Sequence, residues 1–179
     1  VGDSFTFGQG VKLNDTYAKV LEKKLQNKYP RCAEVLNTGV SGYNTYDEYW
    51  YIKDKLLKLN PDLVIVGFFI GNDPEDPDFE FNKLIAQHNL PGKDAPLISY
   101  FKKKRENIKL QKENYWAEYL ALMWDPGGQQ WKRCKEALRD IKIITEKKNI
   151  ELLVFIIPNS EPRPDSRISY HRQLIDELK

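Results

Sequence analysis

Two apolar runs constrain this chain more than any other feature. Leu63-Val64-Ile65-Val66-Gly67-Phe68-Phe69-Ile70 is continuous, rich in β-branched and aromatic residues, and is preceded by Pro61. Ile150-Glu151-Leu152-Leu153-Val154-Phe155-Ile156-Ile157 repeats the pattern and stops at Pro158. Runs without polar alternation belong to strands covered on both faces, and such strands are found in parallel sheets flanked by helices.

The segments between the runs supply the helices. Leu13 to Tyr29 places Tyr17, Val20, Leu21 and Leu25 at three- and four-residue steps, with Asn14 or Asp15 as N-cap. Cys32 to Asn37 reads as a short strand. Thr45 to Leu59 is helical in its spacing, and Thr45 with Glu48 makes a capping box. Gln129 to Asn149 is helical again, and Ile168 to Lys179 starts a last helix. Val1 stands as the stump of a first strand, so the N-terminus reads as cut. The alternation predicts an α/β domain with a doubly wound parallel sheet and right-handed crossovers.

One domain is expected over 1–179. Residues from about 74 to 128 loosen into acidic, proline-containing and then basic helical stretches, read as a mostly helical insertion at one sheet edge. A content of 41% hydrophobic and 12% aromatic residues is enough for a packed core. With 28 basic against 26 acidic residues, the net charge of +2 gives no electrostatic reason to expect nucleic acid. The apolar runs fall far short of the roughly 20 residues a membrane-spanning helix needs. Lys102-Lys103-Lys104-Arg105 reads as a solvated helix face rather than a membrane contact. Cys32 and Cys134 fit no metal spacing and read as small core residues.

In a doubly wound sheet, ligands bind outside the carboxyl ends of the strands. Three unusual stretches fall there: GDSFTFGQG after the first strand, NTGVSGYNT after the second, and Gly71-Asn72-Asp73 after the third. Together they offer a serine hydroxyl, a glycine N–H that a ligand can approach closely, and a side-chain amide. Acyl transfer needs a nucleophile and donors for the oxyanion of the tetrahedral intermediate.

These residues resemble the GDSL or SGNH hydrolases, a family named for Ser, Gly, Asn and His in four blocks. Gly2-Asp3-Ser4-Phe5 resembles the first block, with Phe5 in place of the commoner Leu, and the resemblance makes Ser4 the nucleophile. Ser41-Gly42 resembles the second and implies that the Gly42 N–H donates to the oxyanion. Gly71-Asn72-Asp73 resembles the third, with Asn72 as side-chain donor, although the usual block would put its glycine at Ile70. The fold implied is a three-layer α/β/α sandwich with a flavodoxin-like sheet. The activity implied is ester hydrolysis, or acyl transfer to a sugar hydroxyl, through an acyl-serine, on a small-molecule or carbohydrate ester and with no cofactor.

The fourth block, Asp-x-x-His, does not occur. His88 follows Ile85 by three residues and His171 follows Ile168, so neither fits. The base and its carboxylate are expected beyond Lys179, and residues 1–179 by themselves are expected to be nearly inactive. The missing block motivates a second reading, a non-catalytic glycan- or partner-binding domain on the same scaffold. A flavin-binding variant would follow from Ser4 and Thr6 after the first strand.

Other chemistry is weaker or excluded. Asn72 to Asp78 is acidic but lacks the glycine and distal glutamate of a calcium loop. Tyr115, Trp116, Tyr119, Trp124 and Trp131 suit either a core or a sugar-stacking wall. The α/β-hydrolase elbow Gly-x-Ser-x-Gly fails at Thr6, and no Walker loop or dinucleotide fingerprint is present. Compartment, oligomeric state and protein partners are not written in the sequence.

Overall fold

The computed structural model describes residues 1–30, 33–75, 119–157 and 166–178. Most of the predicted insertion, His88, Cys32, Tyr115 and Trp116 lie outside the described residues. Among the described residues these helices and strands follow in order: α1 (Ser4–Phe7), α2 (Tyr17–Lys28), α3 (Thr45–Asp54), β1 (Leu63–Phe69), α4 (Gln129–Glu146), β2 (Glu151–Ile157) and α5 (Ser166–Leu178), with residues 119–123 also helical.

The two runs pair in parallel, Leu63 with Glu151 through Phe69 with Ile157. On the other edge of β1, the Gly67 N–H donates to Val1 O at 2.9 Å, and Val1 N donates to Ile65 O at 2.7 Å. Gly2 in turn accepts from the Val40 N–H at 2.9 Å and bridges in parallel to both Gly67 and Gly39. The lateral order is therefore residues 33–40, Val1–Gly2, β1, β2. Chain order is broken between the first two positions, and their order reverses there.

Several local expectations shift, each for an identifiable reason. Of the expected strand Cys32 to Asn37, the described residues 33–37 form no strand; the parallel bridge to Gly2 falls beyond it, at Gly39. Residues 13–15 form a 3-10 turn, and α2 begins after Thr16, whose hydroxyl oxygen accepts from the Lys19 N–H. The capping box of α3 lies one residue earlier than expected. Asn44 and Asp47 exchange the two bonds, while Thr45 and Glu48 turn inward. Residues 56–59 form a 3-10 turn instead of continuing α3, and Asn60 closes it in the left-handed conformation.

Alternation along β1 divides the packing. Val64, Val66 and Phe68 face α3, α4 and α5. There Ile52, Leu56, Leu57 and Ile141 form one cluster; Trp124, Trp131, Met123, Leu138 and Leu174 form the other. Trp124 stacks on Tyr170 at 5.2 Å and donates its indole N–H to Ile70 O at 3.1 Å, so an aromatic of this size is buried with its polar atom satisfied. Tyr119, Trp124 and Trp131 are thus core residues. Cys134 is a free, buried thiol whose Sγ donates to Thr45 Oγ1 at 3.7 Å and ties α4 to α3. No helix among the described residues is long and apolar enough to cross a membrane.

Candidate functional site

The opposite face of β1 is built differently. Gly39, Gly2 and Gly67 stand side by side on three adjacent strands, and α1 lies directly on them. A Cβ on Gly39 would fall 2.2 Å from Phe7 N, one on Gly2 1.9 Å from Thr6 Oγ1, and one on Gly67 2.8 Å from the same oxygen. No side chain fits between the sheet and this turn. The floor is bare because the helix occupies the space where side chains would stand.

The turn itself follows from its residues. Asp3 is the N-cap and accepts from the Phe5 N–H through Oδ1 at 2.9 Å. Gly8, at φ +84°, ends the helix and donates to Ser4 O at 3.0 Å. Ser4 is consequently the first helical residue, at the step from strand to helix, and its hydroxyl takes no part in the capping. It is half-buried, and with Phe5, Gly8, Gln9 and Val11 it lines a cavity of about 360 Å³.

Gly42 is the third residue of a turn closed by the Tyr43 N–H on Val40 O at 3.2 Å. Its φ of +85° is the value a type II turn requires there, and the space around a notional Cβ is empty, so conformation rather than crowding calls for glycine. The turn leaves the Gly42 N–H unused. The Ser41 hydroxyl donates to Gln9 Oε1 at 3.5 Å, which links this loop to the residues following α1.

Asn72 follows β1, where the chain turns back through Asn72 N–H on Phe69 O at 3.4 Å. Its side-chain amide lies against the Asp3 carboxylate and favours the ionised form. The buried Asn72 Oδ1 has no hydrogen-bond partner. Phe5 packs on Phe69 with ring centroids 4.4 Å apart, a second tie between α1 and the end of β1. The three expected residues therefore stand on neighbouring loops, which follow Val1–Gly2, the bridge at Gly39 and β1. Ser4 and Asn72 are joined through Asp3, and the Gly42 loop is joined through Gln9 and through the Gly2–Val40 bond.

Beneath the turn lie three buried carboxyl groups. Asp3 is held above the usual aspartate range by burial, against the opposing pull of the Phe5 and Thr6 N–H groups. Glu48, inside α3, is fully buried with both oxygens unpartnered. Burial pushes its pKa up to about 8, and Asp3 and Asp47 add to the rise while the Val1 amino group opposes it. Asp73 accepts the Phe69 N–H through Oδ2 at 2.8 Å, while its Oδ1 is unpartnered; burial, Glu48 and Asp3 raise it well above normal. Like charges this close and this dry do not all ionise, and the capping bonds favour the charge on Asp3. Burial and the neighbouring carboxyl groups thus favour the protonated form of Glu48. Among the described residues no group of three His, Cys, Asp or Glu is arranged to hold a metal ion.

His171 sits on α5, which packs through Leu174 on the Phe68 side of β1. Ser4 is on the Gly67 side, so the sheet separates the two. The part that Gly39, Gly67, Asn37, Thr6 and Tyr17 play in holding the turn is not legible in the sequence; three glycines side by side become visible only when the parallel register is known.

Comparison with known families agrees in extent with this arrangement: the sequence model of the GDSL-like Lipase/Acylhydrolase family matches residues 1–178. No curated protein and no solved structure matches the chain.

Proposed function

Because the chain belongs to the GDSL-like lipase/acylhydrolase family, we propose that it cleaves ester bonds through an acyl-enzyme formed on Ser4. The observation that carries this reading is the seat of Ser4: first residue of a one-turn helix pressed onto a glycine floor, with a hydroxyl uncommitted to the cap. Ser4 Oγ attacks the ester carbonyl, and its proton passes to a general base. His171, across the sheet, is not that base. Charge on the carbonyl oxygen is met by the Gly42 N–H and the Asn72 amide, donors on flanking loops whose positions are fixed before substrate arrives. Collapse of the tetrahedral intermediate expels the alcohol, and the acyl group then passes to water or to a sugar hydroxyl.

The scaffold for this chemistry is a three-layer α/β/α sandwich, a reading supported by the lateral strand order and by α1 lying across β1 from α3, α4 and α5. As substrate we favour a small-molecule or carbohydrate ester.

Turnover of a short-chain nitrophenyl ester by the full-length protein, with whatever follows Lys179 included, tests the proposal. Ser4→Ala is expected to abolish it, and Asn72→Ala to lower kcat on the order of a hundredfold. Equal turnover in Ser4→Ala and the parent would remove Ser4 as nucleophile. A glycan that binds equally well to both proteins, with no ester turnover in either, would favour a non-catalytic binding domain.

A further inference from the structure

A four-residue helix cannot stabilise itself, because nucleation fixes several residues for a single hydrogen bond. α1 is held by two groups that the reaction scheme above does not use. On one side, Asn37 donates its Nδ2–H to Thr6 O at 2.8 Å while its Oδ1 accepts the Gly39 N–H at 3.1 Å. The two bonds demand opposite ends of the amide, so only one orientation of Asn37 satisfies both. On the other side, the Tyr17 hydroxyl donates to Thr6 Oγ1 at 2.9 Å. Tyr17 opens α2, and its ring meets Phe155 of β2 edge-on at 5.2 Å, so the hydroxyl is delivered from a packed ring rather than a free one. Burial holds that hydroxyl in its neutral, donating form. Thr6 itself is buried against Gly2 and Gly67.

We propose that Asn37 and Tyr17 are positioning residues for Ser4, clamping Thr6 from opposite sides so that the one-turn helix sits at a single height on its glycine floor. The proposal rests on the reading of Ser4 as nucleophile. Neither residue touches the substrate. Their effect is geometric: a misplacement of about 1 Å at a reacting group costs on the order of a hundredfold in rate, and removing one of two clamps is expected to cost part of that.

Two near-isosteric variants separate the clamp from general stability. Asn37→Asp keeps an acceptor for the Gly39 N–H and loses the donor to Thr6 O. Tyr17→Phe keeps the ring on Phe155 and loses the hydroxyl. Amide hydrogen exchange is read at Phe7 and Gly8, whose N–H groups bond Asp3 O and Ser4 O at 2.9 and 3.0 Å, and at Leu138 and Ile141 in α4 as the internal control. The expected result, in the full-length protein, is exchange about tenfold faster in α1 with α4 unchanged, together with a roughly tenfold lower kcat for a short-chain nitrophenyl ester at unchanged KM. A merely structural role would speed α4 along with α1. That outcome, or α1 exchange at the parent rate in both variants, overturns the clamp. Full turnover in Ser4→Ala would instead defeat the nucleophile reading, and the exchange rates would still decide whether Asn37 and Tyr17 hold the turn.

Discussion

The two faces of β1 solve opposite problems with the same seven residues. On one, Val64, Val66 and Phe68 bury large side chains against α3, α4 and α5, and the contacts are apolar and interdigitated. On the other, Gly67 contributes nothing but backbone, and what lies on it is a short helix held mainly by polar bonds, with the Phe5–Phe69 ring contact at its edge. Burial on the first face supplies free energy in proportion to area. The second face gives up that area to bring a helix against the sheet at van der Waals distance. Stability and placement are thereby assigned to alternate residues of one strand.

The separation can be broken from either side, and the largest effect is expected on the core face. Phe68→Ala should cost about 3–5 kcal/mol, seen as a fall on the order of 10 °C in thermal midpoint. A loss under about 1 kcal/mol would mean that this face does not carry the fold. Next comes Gly39→Ala, whose added methyl meets the Phe7 backbone rather than a flexible side-chain end. Ester turnover should drop on the order of a hundredfold with a smaller change in midpoint than in Phe68→Ala. Equal damage to both quantities would erase the distinction between the faces.

The smallest effect is expected from pH. Glu48 has its pKa raised from 4.5 to about 8 in the folded protein, chiefly by burial. Between those values the folded state holds a proton that the unfolded state has released, so stability falls as pH rises through that window and levels off above it. Asp73 and Asp3 are shifted in the same direction. Glu48→Gln should flatten the slope of denaturation midpoint against pH between about 4.5 and 8, and raise the midpoint at pH 8 by a few degrees. A slope identical to the parent's would show that the proton resides elsewhere in the cluster.

How far the sequence leads depends on whether a feature is local. β1 and β2 are legible because a run of β-branched residues without alternation has few other uses. Ser4, Gly42 and Asn72 are legible as chemical types at strand ends, and the fold does set them on adjacent loops. The capping box is misplaced by one residue because Asn44 with Asp47 and Thr45 with Glu48 fit the same pattern, and only burial distinguishes them. Glu48 looks like a surface acid until α3 is seen to turn it inward. The glycine row and the Asn37 and Tyr17 bonds depend on register between segments far apart in the chain, and no spacing rule encodes that.

The glycine floor also orders events in time. Its three members come from the second, thirty-ninth and sixty-seventh positions, so α1 has nowhere to sit until loops of tens of residues have closed and the strands have found register. Helices such as α4 can form early from local contacts, whereas the seat of Ser4 waits for long-range ones. In refolding followed by stopped flow, helical signal should return before Ser4 becomes reactive, and a turn that reacts as early as α4 forms would show that it does not need the floor.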